Sequence, residues 1–459
     1  MNRRNLIILT FLTLGLKGRI ALASKNQEAL NITQHILDQM SARKSVNIPA
    51  GNYLIDAISI KVISGSKLIF SKEAVFKVNV PDHSGGCIFL IDDKQDIEIT
   101  GGTFNAEDDM IEVISIRNGA HSISVSDVMC NGCRLLRTDV MKSYDRINGS
   151  ELNYNVNISE CHGASSNIAT RKAFIELHYI KDCNCFDCEI DGYYHGIMFW
   201  GGDANPNRDG GVENIRKASH LNFEGNTVKN VQLGGIWGSM GEYITIDSNY
   251  LEQGRDVGID FEGCNNSLAI NNIIKNFRHG GLTTFFLCND IKFENNTSIS
   301  TKKENIVAAI FNSTLKQDNR NIKFINNKFI GDGVLTVFAQ NGTVSELLIQ
   351  GNVFTNTLIK LTSPNNGAIK ISKNNFSFNI MPQKDMPVVD VSNVLNSTSY
   401  LIIENNHINS EQKWFADIPV FHIKTLESRN SELAPIVEGN LVEKVSSPKS
   451  AIVSKITQK

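Results

Sequence analysis

The sequence predicts an all-β solenoid, one stack of short parallel strands. Three observations carry that expectation. A motif of an apolar residue, two variable residues and an asparagine recurs nine times between Phe223 and Asn440. Between its copies lie short segments in which apolar and polar residues alternate, the period of a strand whose successive side chains face opposite sides. Turn residues dominate the punctuation, with 34 Gly among 459 residues, and few stretches read as helix.

The nine copies are Phe223-Glu-Gly-Asn226, Ile246-Asp-Ser-Asn249, Ala269-Ile-Asn-Asn272, Phe293-Glu-Asn-Asn296, Phe324-Ile-Asn-Asn327, Ile349-Gln-Gly-Asn352, Ile371-Ser-Lys-Asn374, Ile403-Glu-Asn-Asn406 and Val437-Glu-Gly-Asn440. Their spacings are 23, 23, 24, 31, 25, 22, 32 and 34, so the short ones are bare rungs and the long ones carry inserted loops. A β-rich period in the low twenties means stacked rungs that share one interior. The repeated asparagine marks one turn, where side-chain amides stack and hydrogen-bond to each other and to backbone.

Taken in order, the chain opens with a targeting segment, residues 1–23. Arg3-Arg4 precedes the apolar run Leu6 to Leu16, and Ala21-Leu22-Ala23 offers a cleavage site. The leader fits a Sec signal, and Asn2-Arg3-Arg4-Asn5-Leu6 also resembles a twin-arginine signal. Residues 24–459 then form one domain, with no Pro- or Ser-rich linker and no apolar run long enough to span a bilayer, so a periplasmic or secreted protein is expected. Residues 27–42 form an amphipathic helix with Leu30, Ile32, Ile36, Leu37 and Met40 near one stripe, placed to cap the open end of the stack. Ser45 to Ile55 reads as strand, Pro-Ala-Gly turn, strand. The segments 97–104, 123–129 and 186–190 read as earlier, less regular rungs.

The balance of charge excludes some functions. Formal net charge is -3 and the cations are scattered, so nothing calls for nucleic acid. Nine cysteines leave at least one unpaired. Cys130-x-x-Cys133 and Cys183-x-Cys185-x-x-Cys188 have zinc-like spacing but sit in strand-and-turn pattern, and Cys264 and Cys288, 24 residues apart, read as stacked neighbours. No metal or cofactor is expected, and a disulfide is open in an exported chain. Glu107-Asp-Asp109 reads as a solvated turn.

The N-terminal helix, the Pro-Ala-Gly-x-Tyr turn, the rungs and the asparagine ladder together resemble the right-handed parallel β-helix of the pectin-lyase-like superfamily. The resemblance covers essentially the whole mature chain. It implies a right-handed parallel β-helix solenoid with a short capping helix, and an activity on polysaccharide. Within that superfamily an exported chain with this leader is similar to proteins of bacterial exopolysaccharide clusters and to tailspike depolymerases, and the latter imply a homotrimer. The Asn-x-Asp, Asp-Asp and Gly-His-Gly series of polygalacturonases does not occur in the expected order, and a clear Arg-x-Pro-x-x-Arg element of pectate lyases is lacking, so neither reaction carries over.

The site is therefore read from columns. Aligning Gly196–Trp200, Gly235–Ser239, Gly258–Glu262 and Gly281–Phe285 places Ile197, Ile236, Ile259 and Leu282 inward. Met198, Trp237, Asp260 and Thr283 then share one outward column, and Trp200, Ser239, Glu262 and Phe285 the next. Residues i and i+2 on a strand stand roughly 6.5–7 Å apart at Cβ. Inverting glycosidases hold their two carboxyls about 6.5–9.5 Å apart, so Asp260 and Glu262 fit an inverting pair. Sugar rings stack on aromatics, which makes Trp200, Trp237 and Phe285 candidate platforms and the surface a polysaccharide groove. The insertion after Trp200 supplies Asp203 as a third carboxylate and Arg208 as a contact for an acidic sugar. Arg255 and Arg278 share a column, as do Asp256 and His279. His279 beside Arg278 serves a lyase as base, or is an ordinary turn histidine. Three functions remain open at this stage: an inverting hydrolase, a lyase, and a non-catalytic polysaccharide-binding protein.

Overall fold

In the computed structural model the described residues run from 29 to 456, less the loop stretches 43–44, 57–58, 80–85, 107–110, 166–171, 204–214, 303–305, 312–317, 332–335, 338, 341–343, 362–366, 380–386, 393–399, 412–418, 427–434 and 444–450. The leader 1–23, Glu107 to Asp109 and Arg208 lie outside them. The described chain coils through three long faces. One sheet has 16 strands, a second has 15 and a third has 11, and a sheet of five strands lies at the C-terminal end. Every strand pairs in parallel with its counterpart one rung away, as in Ile236↔Ile259↔Leu282. The 11-stranded sheet carries the outward columns named above and is called the groove sheet.

Rungs form because apolar side chains at alternate positions turn inward and meet their counterparts one rung up and down. The interior is one continuous core, with stacked phenylalanines such as Phe293 on Phe324 at 4.9 Å and Phe354 on Phe376 at 4.6 Å. Glycine opens the groove-sheet strands where the chain turns into them. At Gly258 a Cβ would lie 2.3 Å from Ile274 Cγ2 and 2.6 Å from the Gly281 carbonyl, so no larger residue fits.

The asparagine ladder is continuous from Asn226 to Asn440. Each Nδ2 donates to the Oδ1 of the next asparagine, as at Asn249 to Asn272 (2.9 Å) and Asn374 to Asn406 (2.9 Å). Each Oδ1 also accepts the backbone N–H of the asparagine before it, as Asn296 does from Asn272 at 2.9 Å. The buried turn thus leaves few polar groups unmet, which is what holds rungs of unequal length in one register. In earlier rungs the column continues as cysteine: Cys188 N–H donates to Asn226 Oδ1 at 3.0 Å. All nine cysteines are buried free thiols.

The N-terminal cap departs from expectation. The helix spans Thr33–Ser41, and residues 30–31 instead form a strand edge against Tyr53 and Leu54. Ile32, Ile36 and Met40 join the core and Leu37 packs against it, but Leu30 is 63% exposed. A strand that pairs with its neighbour satisfies backbone groups that an extra helical turn would leave open, so pairing overrides the amphipathic pattern. The turn at Pro49 forms as read, with the Tyr53 hydroxyl donating to the Pro49 carbonyl at 3.0 Å. No helix among the described residues is long and apolar enough to cross a membrane.

Candidate functional site

The strand Val257–Glu262 sends Ile259 and Phe261 into the core and Asp260 and Glu262 to the outer face. The register confirms both columns. Asp260 lies between Trp237 and Thr283, and Glu262 between Ser239 and Phe285. Outward does not mean exposed here. Asp260 is 4% exposed, because tall neighbours crowd it and Thr283, beside it, is itself buried.

The surroundings of this pair are poor in compensating charge. Burial pushes Asp260 up to about 7, the Asp256 carboxylate adds to the rise, and the Thr283 hydroxyl and Trp237 indole N–H oppose it. Burial also drives Glu262 well above the usual carboxylate range, helped by the charges of Asp260, Asp256 and Asp203. Hydrogen bonding from Trp237 counters the rise at both acids, so its indole nitrogen faces the pair. Among the described residues the largest influences on the two carboxyls are burial, neighbouring acids and hydrogen bonds. The Thr283 hydroxyl lies 2.6 Å from Asp260 Oδ1 and 2.9 Å from the Ile259 carbonyl. Its single proton serves one acceptor at a time, which leaves room for a proton on Asp260. The Ser239 hydroxyl, next to Glu262 in the column, is buried with no hydrogen-bond partner.

The aromatic residues are more constrained than platforms. Trp237 stacks with His195 at 5.3 Å and with Trp200 at 5.9 Å. Trp200 in turn packs on a small outer core of Val140, Tyr144, Ile147, Leu152 and Tyr179. Trp237 therefore acts through its N–H edge toward the acids, and Trp200 forms part of a groove wall. Phe285 sits in a three-ring cluster with Phe286 at 4.4 Å and Phe311 at 5.6 Å, half-buried on the other side of Glu262. His195 is a residue that sequence reasoning missed. It is buried, burial lowers it to about 4, and its Nδ1 accepts the Gly234 N–H at 3.1 Å. It is thus neutral at pH 7 and carries its proton on Nε2.

A second group lies on the flank. His279 Nδ1 and Asp256 Oδ1 are 2.9 Å apart, and Asp256 is close enough to raise both acids. Arg255 and Arg278 are exposed at the corner beside them. Asp203 is half-buried, and its charge reaches Glu262. The structure thus brings Asp203, Asp256, Asp260, Glu262, Trp237 and Phe285 around one stretch of groove. Asp256 was visible in sequence only as the column partner of His279.

Several rungs toward the N-terminus, the same sheet face carries a contrasting cluster. Arg134, 3% exposed, bridges Glu112 at 3.1 Å and Glu176 at 2.9 Å. His178 lies 3.0 Å from Glu176, and Arg137 lies 2.6 Å from Asp139. Burial works to raise Glu176, but His178, Arg134 and Arg137 overcome it and take the group down to about 2. Among the described residues no three His, Cys, Asp or Glu side chains are arranged to hold a metal ion.

Comparison with known proteins addresses the fold. Residues 207–329 match the family described as right handed beta helix region. No curated protein matches the chain. The pre-mature gene product 12 of bacteriophage phi29 aligns with 92% of this chain and 55% of its own, at 13% identity and a TM-score of 0.59. The catalytic domain of a GH87 alpha-1,3-glucanase in complex with nigerose aligns with 93% of this chain and 66% of its own, at 13% identity and a TM-score of 0.46. The tailspike protein of E. coli bacteriophage HK620, in complex with a pentasaccharide, aligns with 93% and 77%, at 10% identity and a TM-score of 0.49. This chain spans little more than half of the phage gene product and just under two thirds of the glucanase domain. At such identities the likeness is one of fold. The chain is a right-handed parallel β-helix, the fold of the pectin-lyase-like superfamily.

Proposed function

We propose that this chain is an exported glycoside hydrolase of the inverting type that cuts bacterial exopolysaccharide, with Asp260 and Glu262 as its acid–base pair. One observation carries the reading. Two carboxyls two residues apart share one face of a rigid strand, and both are held above the usual carboxylate range by burial and neighbouring acids. Such a pair titrates as a unit and keeps a proton near neutral pH, which is what general acid catalysis requires. Glu262, raised well above the usual carboxylate range and the more open of the two, donates that proton to the leaving oxygen. Asp260, at about 7, takes one from the attacking water. The Trp237 N–H spans the pair and steadies whichever carboxyl is ionised. Phe285 and the wall at Trp200 bound the groove.

A second reading has its own observation. The Asp256–His279 contact orients a histidine with its other nitrogen free, and Arg278 stands beside it, as a lyase acting on a uronate needs. The test is chain-length analysis of the exopolysaccharide of the source organism after incubation with wild type, Asp260→Asn and Glu262→Gln. Shortening by wild type without ultraviolet absorbance, cut by about 10²–10⁴-fold in both variants, supports the hydrolase. An absorbing, unsaturated product that needs His279 supports the lyase. Binding of the polymer without shortening sinks both and leaves a carrier role in assembly or export.

A further inference from the structure

We propose that the 15-stranded sheet carries a separate polysaccharide-binding strip centred on His220 and Tyr243, an inference that rests on the polysaccharide reading above. Just after the corner that leaves the groove sheet, ten rungs from Asp96 to Glu346 place one residue in the left-handed region. Small polar residues suit that conformation, and Asn155, Asp182, Asn266 and Asp290 occupy it in the flanking rungs. Tyr243 does not suit it. A bulky ring at a φ of 55° is held in a sparsely populated region at a cost of about 1–3 kcal/mol.

Burial returns nothing for that cost. Tyr243 is 50% exposed, and its ring partner is His220 of the preceding rung, also exposed, at 5.0 Å with planes 26° apart. Two rings therefore stack face against face on open surface, in a position where backbone preference favours asparagine. The same sheet edge continues toward the N-terminus. His121 stacks on Tyr154 at 4.3 Å, and the Lys181 ammonium lies 5.1 Å above the Tyr154 ring. These residues occupy the column one place earlier, on consecutive rungs. Together the five side chains cover four rung steps, about 19 Å. The ring edges and the face of Tyr243 turned away from His220, with Lys181, Glu242 and Asn155 alongside, offer a sugar chain apolar surface and hydroxyl partners.

The strip is continuous with the groove. Tyr243 follows Ser239 by four residues round the corner, on the rung that precedes Glu262. A long polymer seated at the acids can thus extend over the corner onto His220 and Tyr243, which holds it between cuts.

The experiment measures retardation in gels containing exopolysaccharide from the source organism, in an Asp260→Asn background so that cleavage does not consume the probe. Adding His220→Asn and Tyr243→Asn should weaken retention by roughly tenfold while thermal stability stays level or rises, since asparagine suits the backbone. Tyr243→Phe keeps the ring and should keep the retention. Equal retention with and without the rings overturns the strip and leaves the groove reading intact. No retention of the Asp260→Asn parent overturns both.

Discussion

Two groups of buried acids lie on the same face of one sheet, and they have been treated oppositely. Around Arg134, Glu112 and Glu176 each meet a cation; Glu176 sits at about 2, while burial still holds Glu112 above the usual carboxylate range. Around Trp237, Asp260 and Glu262 are both held above the usual carboxylate range, and Asp260 sits at about 7. Burial is nearly the same in the two places, with Glu176 and Asp260 each 4% exposed. The partner set therefore decides the direction. Burial alone favours the neutral acid; hydrogen bonds and nearby cations oppose it, and they win at Glu176 but not at Glu112. The first cluster stabilises the fold. The second costs stability and holds a proton at neutral pH, which is the exchange expected of a working site.

The comparison breaks most visibly at its paired end. Arg134→Met should cost about 3–5 kcal/mol in denaturant unfolding at pH 7, because Glu112 and Glu176 are left buried without their shared cation. Glu176→Gln should cost about 3 kcal/mol at pH 7. The sign follows from the shift. Glu176 is depressed from 4.5 to about 2, so its stabilisation is full above pH 4.5 and fades as pH falls through 2. The gap between wild type and variant should close over that window, and a gap that persists at pH 2 would show that geometry, not charge, is lost. At the unpaired end, Trp237→Phe keeps the ring but removes the N–H shared by the acids. The basic limb of the activity profile should move up by about one pH unit, worth roughly 1–2 kcal/mol. An unmoved profile would separate Trp237 from the pair.

Much of this comparison could be read from sequence at one end and little at the other. The columns at Trp237, Asp260 and Thr283, and at Ser239, Glu262 and Phe285, repeat every 23 residues in a register the asparagines fix, and Trp200 joins the second column 39 residues earlier, across an inserted loop. The Arg134 cluster lies where no asparagine ladder sets the register and where loops separate the rungs. Glu112, Arg134 and Glu176 are 22 and 42 residues apart, and no local period joins them. Alternation also gives direction but not depth. It turns Asp260 outward, and only the neighbouring side chains show that outward is buried. The stacking of His195 and Trp200 on Trp237 joins residues of different columns, which column reasoning does not show.

The account stands or falls on whether the Asp260–Glu262 pair is held against the preference of the fold. The direct measurement is thermal unfolding of wild type and Asp260→Asn from pH 4 to pH 9. Asp260 is raised from 3.8 to about 7, so the wild type carries no penalty near pH 4 and pays increasingly as pH rises to 7. The variant should match wild type near pH 4 and exceed it above pH 7, by on the order of 1–4 kcal/mol. A variant that is less stable than wild type at pH 8 would mean that Asp260 is an ionised, satisfied structural group, and the acid–base role would have to be withdrawn.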